Sequence, residues 1–277
     1  MCPPQPRIPL SEYQLFSLFV PHYMDEPQIR LSRLLFADGN PVTSPMIGSG
    51  IDGFIIRTGP STVMKIPKLR AEILSDGSLK PKKENEWLIG SLEEEKAVYR
   101  RLEGVQGLAN CLRVSSNGIE LDYHQNGNLE NYMRANDPPV WGQRLDWMIQ
   151  LVDFVAACHE KKVLWFDIAL RNLLLADDWT IRAIDFANST ALPLDIDLAT
   201  ADWDGYTHKL EVLHVTNVIY SISRWERFQV NCAYAHEWPP TDSFPSTQHL
   251  DLGPIITKAW NHHYQTIAEL RRAISSQ

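Results

Sequence analysis

The chain has 277 residues, 44% hydrophobic and 22% charged, with a formal net charge of −8. That size and composition suit one large domain or two lobes sharing a cleft, and exclude wholesale disorder. The acidic balance argues against a nucleic-acid partner.

No apolar run approaches the roughly 20 residues needed to span a bilayer. The start, Met1-Cys2-Pro3-Pro4, lacks the basic-then-apolar order of a secretory signal. An intracellular location, cytoplasmic or nuclear, without membrane association is expected. Cys2, Cys111, Cys158 and Cys232 form no Cys-x-x-Cys pair and read as reduced thiols. Cys232, His236, His262 and His263 match no usual zinc-ligand spacing.

Residues 1–44 read as an N-terminal extension that packs on a lobe or docks a partner. Ser11 starts a short helix carrying Tyr13, Leu15, Phe16, Leu18 and Phe19, which Pro21 breaks. A second amphipathic piece, Ile29 to Phe36, ends at the turn Ala37-Asp38-Gly39-Asn40-Pro41. Met46 to Ile66 then reads as strand, glycine-rich turn, strand, Gly59-Pro60 turn and strand. A dinucleotide-binding Gly-x-Gly-x-x-Gly opens a helix. Here β-branched and aromatic residues follow Gly53, so a hairpin flap is expected. Its glycines let the backbone approach phosphate oxygens.

Lys65 interrupts the apolar strand Val63-Met64-Lys65-Ile66. Glu84 to Leu102 is helical in pattern, with Leu92, Val98, Tyr99 and Leu102 on one face and Glu93, Glu94 and Glu95 in its first half. The three glutamates suit a solvated acidic helix start, or one of them turns inward to Lys65. Gly104 and Gly107 end the helix. Short strands near Cys111–Val114 and Ile119–Tyr123 flank the turn Ser115-Ser116-Asn117-Gly118.

Gln125-Asn126-Gly127-Asn128 is a polar break and marks the boundary between a first lobe, 45–124, and a second, 125–277. The second reads as mainly helical: Leu129 to Arg134, Trp141 to His159, Leu210 to Arg224, and one long helix from Ile255 to Ser275. Asp167 and Asn172 lie between apolar runs, and Asp185 follows eighteen residues after Asp167. Two carboxylates and an amide on adjacent loops suit a hydroxyl nucleophile on one side and hydrated Mg²⁺ on the other.

Flap, strand lysine, acidic helix, break and paired acidic loops, in this order, resemble the eukaryotic-type protein kinases over about residues 45–223. The resemblance implies an α+β, bilobal fold: a small antiparallel β-sheet lobe with one helix, then a mainly helical lobe. It implies ATP and Mg²⁺ as cofactors. Gly48, Gly50 and Gly53 match the phosphate-covering loop, Lys65 the lysine that holds the α and β phosphates, and Val63 an adenine-facing position. Glu95 matches the helix glutamate paired with that lysine, with Glu94 in reserve. Leu121 falls at the gatekeeper, Asp122, Tyr123 and His124 at the hinge, and Asn128 where a polar side chain reaches the ribose. Asp167 matches the aspartate that accepts the acceptor's proton, and Asn172 and Asp185 the Mg²⁺ ligands. Arg171 stands where tyrosine kinases carry arginine, and Ala169 where serine/threonine kinases carry lysine. Arg171 is therefore assigned to neutralising the transferring phosphoryl group.

The sequence departs from the family in several places. Trp165-Phe166 replaces the usual His-Arg before Asp167, and that arginine normally grips a phosphorylated loop residue. Ala187 replaces the glycine of the metal motif, and no Ala-Pro-Glu follows. Glu211 and Thr216 stand where the family has aspartate and glycine. The expected function is transfer of the γ-phosphoryl group of ATP to a protein serine, threonine or tyrosine hydroxyl. The alternatives are a pseudokinase scaffold and a kinase of small-molecule hydroxyls.

Overall fold

In the computed structural model, residues 32–51, 53–230 and 232–276 are described. The helix expected after Ser11, and the first residues of the Ile29–Phe36 piece, lie outside them.

A five-stranded antiparallel sheet carries the glycine-rich turn. β1 (Ser32–Leu34) precedes it in the chain; β2 (Met46–Ser49) and β3 (Gly53–Arg57) flank the turn itself. β4 (Thr62–Pro67) pairs with β3, setting Phe54 opposite Ile66 and Ile55 opposite Lys65. After β5 (Arg70–Ile73) and β6 (Leu79–Pro81), the chain passes through helix α1 (Asn85–Arg101) to β7 (Cys111–Val114) and β8 (Ile119–Asp122). The sheet order is β2-β3-β4-β8-β7.

Alternation along the strands sorts the side chains. Phe54, Ile56, Met64 and Ile66 form one apolar cluster with Leu34, Phe36 and Val42. Val63, Ile119 and Leu121 belong instead to the large core shared with α1 and the later helices. Lys65 is two residues from Val63, so its side chain leaves the strand on that second face. Two glycines are sterically required here: a Cβ at Gly53 would lie 2.8 Å from the Ile66 carbonyl oxygen, and one at Gly118 2.3 Å from that of Lys65. The β7–β8 turn thus lies directly on the strand that carries Lys65.

A second sheet, absent from the sequence-based expectation, has the order β1-β5-β6. Leu34 pairs with Arg70, and Leu35, Leu69 and Ala71 are buried against Leu88 and Ile89 of α1. Residues 32–42 are therefore folded onto this sheet. The Asn85 side chain exchanges two hydrogen bonds with the Arg70 backbone, at 3.0 and 2.9 Å, and fixes the start of α1.

α2 (Leu129–Ala135) is capped by Asn128, whose Oδ1 accepts the Asn131 N–H. α3 (Trp141–Glu160) buries Trp147, Leu151, Phe154 and Cys158. Short ladders follow: β9 (Val163–Leu164), β10 (Leu173–Leu175) paired with β11 (Ile181–Ala183), and β12 (Thr190–Ala191) paired back to β9. α4 (His208–Arg224) is buried along nearly its whole length, which accounts for its apolar residues on every face.

The single helix expected from Ile255 to Ser275 is two, α5 (Gly253–Trp260) and α6 (Ile267–Ser275). His262 sits at φ 58°, a left-handed conformation that ends the first helix, and the Thr266 side chain caps the second. The fold is mixed α+β, with antiparallel sheets and six α-helices among the described residues. No helix among them is long and apolar enough to cross a membrane.

Candidate active site

The Nζ of Lys65 lies 2.8 Å from Glu95 of α1 and 2.6 Å from Oδ1 of Asp185. Of the three adjacent glutamates it is Glu95 that turns inward, because residues 92, 95 and 99 share the buried face of α1. Burial opposes the ammonium, but the two carboxylates outweigh it and raise the Lys65 pKa. Burial likewise pushes Asp185 up, yet the Lys65 ammonium holds it below the ordinary aspartate value. At Glu95 burial prevails over Lys65 and raises the pKa. Its Oε1 also accepts the Phe186 N–H at 3.0 Å. A recess lined by Gly53, Lys65, Glu95 and Ala187 opens beside the pair.

Asp167 lies in the loop between β9 and β10. Phe166 (φ 65°) and Asp185 (φ 65°) are both left-handed, a conformation that aspartate tolerates but that is costly for a bulky residue such as Phe166. Glu211, fully buried on α4, accepts the backbone N–H groups of Trp165 (2.5 Å) and Phe166 (2.8 Å) on one oxygen. Its other oxygen meets Nε2 of His159 at 2.6 Å. Those charge-assisted bonds hold the loop in its strained shape.

Asp167 then meets two partners. Arg171 Nη2 lies 2.5 Å from its Oδ1, and Asn172 Nδ2 donates to its Oδ2 at 3.0 Å and to its carbonyl at 2.9 Å. The Ile184 N–H donates to the Asn172 carbonyl, and Leu173 pairs with Ala183, so the two acidic loops lie side by side. Asn172 uses its Nδ2 on Asp167, which leaves its Oδ1 as an acceptor. With the Asp185 carboxylate this gives two hard oxygen donors, a set that suits Mg²⁺ completed by phosphate oxygens. Among the described residues no group of three or more His, Cys, Asp or Glu is placed to hold a metal by itself.

The remaining candidates make the following contacts. Gly48 and Gly53 flank Gly50, whose N–H donates to the Gly53 carbonyl. Val63 pairs with Leu121 across β4 and β8. Asp122 accepts from Asn110, the Tyr123 N–H donates to the Ser61 carbonyl, and the Arg57 guanidinium lies 3.7 Å above the Tyr123 ring. His124 is half-buried, and its pKa is lowered by burial and by Arg182. Asn128 spends its side-chain oxygen on the helix cap.

The sequence reading missed a group of aromatic contacts. Tyr99 meets Phe186 edge-on at 5.2 Å, and Phe186 meets Trp165 at 5.4 Å. The Trp165 indole N–H donates to the Asp185 carbonyl. An aromatic residue two before Asp167 was the available signal. Glu211 carried a second one, as an acid within a helix apolar on every side.

No family model matches the chain. It is 24% identical over 194 residues to fibroblast growth factor receptor 1 of Xenopus laevis, which is 64% of this chain and 22% of the receptor. It is 28% identical over 87 residues to cyclin-dependent kinase F-1 of Arabidopsis thaliana, covering 31% of this chain and 18% of that protein. A third match, 30% over 83 residues, is to serine/threonine-protein kinase Nek1 of Mus musculus, 29% of this chain and 7% of that kinase. The relationship is kinase-like. The kinase-like stretch spans about a fifth of the length of the receptor it matches.

Proposed function

We propose that the protein is an ATP- and Mg²⁺-dependent phosphotransferase of protein-kinase type that phosphorylates a protein hydroxyl. In this reading residues 45–124 and 125–277 are two lobes of one domain, with the nucleotide between them. The observation that carries it is the Lys65 ammonium shared between Glu95 and Asp185, beside Asp167 and Asn172. A triphosphate tail needs a fixed cation that does not swing away, and Glu95 anchors this one from behind. The names of the protein-kinase relatives support the same class.

The residues divide the task. The flap glycines Gly48, Gly50 and Gly53 cover the phosphates with backbone N–H groups, and Val63, Leu121 and the 122–124 backbone frame the base. Asn128 reaches the ribose with the part of its amide that the helix cap leaves over. Lys65 holds the α and β phosphates, with Glu95 fixing its direction. Asp185 and Asn172 Oδ1 would hold Mg²⁺, which would supply positive charge against the phosphates. Asp167 orients the acceptor hydroxyl and takes its proton. Arg171, already against Asp167, offsets charge that builds on the transferring group.

The test is two-fold. ATP with Mg²⁺ should raise the melting temperature, and generic protein substrates should then be phosphorylated. Binding without turnover on any protein or metabolite mixture would overturn the enzymatic reading in favour of a scaffold. Turnover on metabolites alone would move the acceptor to small molecules.

A further inference from the structure

The turn between β3 and β4, Thr58-Gly59-Pro60-Ser61, is spanned by one guanidinium. Arg57, the last residue of β3, folds back over it. Its Nε donates to the Gly59 carbonyl at 2.6 Å, and its Nη2 donates to the Pro60 carbonyl. The turn is tight: a Cβ at Gly59 would lie 2.5 Å from Thr62 Oγ1.

The face of the same guanidinium lies 3.7 Å above the Tyr123 ring. Among the described residues Arg57 makes no ion pair, so two carbonyl dipoles and an aromatic face answer its charge instead of a carboxylate. A planar cation can place its edge on two carbonyls and its face on a ring at once, whereas the point charge of lysine cannot. Arg57 thus joins the β3–β4 turn to Tyr123.

Tyr123 directly follows β8, and its N–H donates to the Ser61 carbonyl at 2.8 Å. Ring and backbone of this one residue are therefore both held by the same turn. From the other side, the Asp122 N–H donates to the Asn110 carbonyl at 3.2 Å, and Asn110 Nδ2 donates to the Asp122 carboxylate at 2.8 Å. Without the guanidinium, the Tyr123–Ser61 bond is left as the single tie on the turn side. A half-exposed backbone bond standing alone opens readily.

A ligand that meets groups already fixed in place loses less free energy to ordering them. We propose that Arg57 is a positioning residue for the nucleotide base: it locks Tyr123 to the β3–β4 turn, and nucleotide affinity depends on that lock. The proposal rests on the phosphotransferase reading, in which the 122–124 backbone frames the base, and adds a residue that acts on it through Tyr123.

The test uses the full chain and two readouts. In the nucleotide-free protein, Arg57→Ala should speed hydrogen exchange at the Tyr123 amide about tenfold, read by NMR. With ATP and Mg²⁺, the same variant should raise the calorimetric Kd and the KM for ATP about three- to tenfold at an unchanged kcat. Arg57→Lys keeps the charge without the plane and should fall with Arg57→Ala. Tyr123→Leu should reproduce the loss of affinity, and the double variant should be no worse than either single one, because both remove one contact. Unchanged exchange at Tyr123, an unchanged Kd despite faster exchange, a wild-type-like Arg57→Lys, or single effects that add in the double variant each overturn the proposal. Wild-type protein that binds no ATP removes the phosphotransferase reading instead, and the exchange measurement then decides by itself whether Arg57 fixes the segment.

Discussion

The ring of Tyr206 lies 4.0 Å, centroid to centroid, from that of Phe166. The Tyr206 hydroxyl donates to the Phe166 carbonyl at 3.3 Å and meets His214 Nδ1 at 3.0 Å. Further along, the Ser189 hydroxyl donates to the Trp165 carbonyl, and Arg101 donates to the carbonyls of Lys161 and Leu192. The chain after Asp185 is therefore fastened to the Asp167 loop by aromatic packing and backbone contacts. No phosphate is needed for this. Phosphatase treatment is expected to leave turnover unchanged, and Phe166→Ala to lower stability by about 1 kcal/mol of lost ring contact; a phosphatase-induced loss of activity contradicts this account.

Asp167→Asn keeps the shape of the side chain and removes its charge. Turnover should fall by roughly 10²–10⁴-fold while Mg²⁺-dependent ATP binding persists. Single-turnover kinetics beside calorimetric titration separates the two effects.

Lys65→Met leaves the Glu95 carboxylate buried without its cation. Breaking such a pair from one side costs about 3–5 kcal/mol. The urea midpoint should fall sharply, and Lys65→Met with Glu95→Gln together should recover much of the loss. A double variant no more stable than the single one argues that the pair does not act as a unit.

Glu211→Ala removes the acceptor of the backbone N–H groups of Trp165 and the left-handed Phe166. Each orphaned donor costs about 1–3 kcal/mol, and the loop that positions Asp167 loses its support. Glu211→Gln keeps one acceptor oxygen and should lie between the two. Thermal denaturation reads the stability, and the lowered kcat of any folded Glu211→Ala protein reads the positioning.

His214 is buried beneath that loop, and burial lowers its pKa from 6.5 to about 4 against the pull of Glu211 and Asp167. The folded protein thus binds less proton than the unfolded chain between these values, so stability falls as pH drops through 6.5 towards 4. At about 1.36 kcal/mol per unit, this residue alone costs roughly 2 kcal/mol by pH 5. His208, lowered by burial and by His159, acts in the same direction. Urea denaturation at pH 7 and pH 5 measures the loss, and His214→Gln should flatten it.

Local patterns made part of the molecule legible. The β2–β3–β4 meander follows from Gly-rich and Gly-Pro turns between β-branched runs, and α1 from the spacing of Leu92, Val98 and Tyr99. The β1-β5-β6 sheet was not legible, because Arg70-Ala71-Glu72-Ile73 has no strong strand pattern and is made a strand by its neighbour's backbone. The α5–α6 break was hidden too, since the apolar period runs on across Asn261-His262-His263. The supports of Asp167 were the least visible, because Glu211 and Gln229 lie far along the chain from the loop and from Arg171 that they contact.

The double tie between the Asn85 amide and the Arg70 backbone has a mechanical consequence. It pins the first residue of α1 to the small outer sheet, while the Glu95–Lys65 contact pins the same helix ten residues further on. Pulling the helix away as a rigid rod therefore breaks both attachments at once, so the two sheets and α1 should resist mechanical separation as one unit.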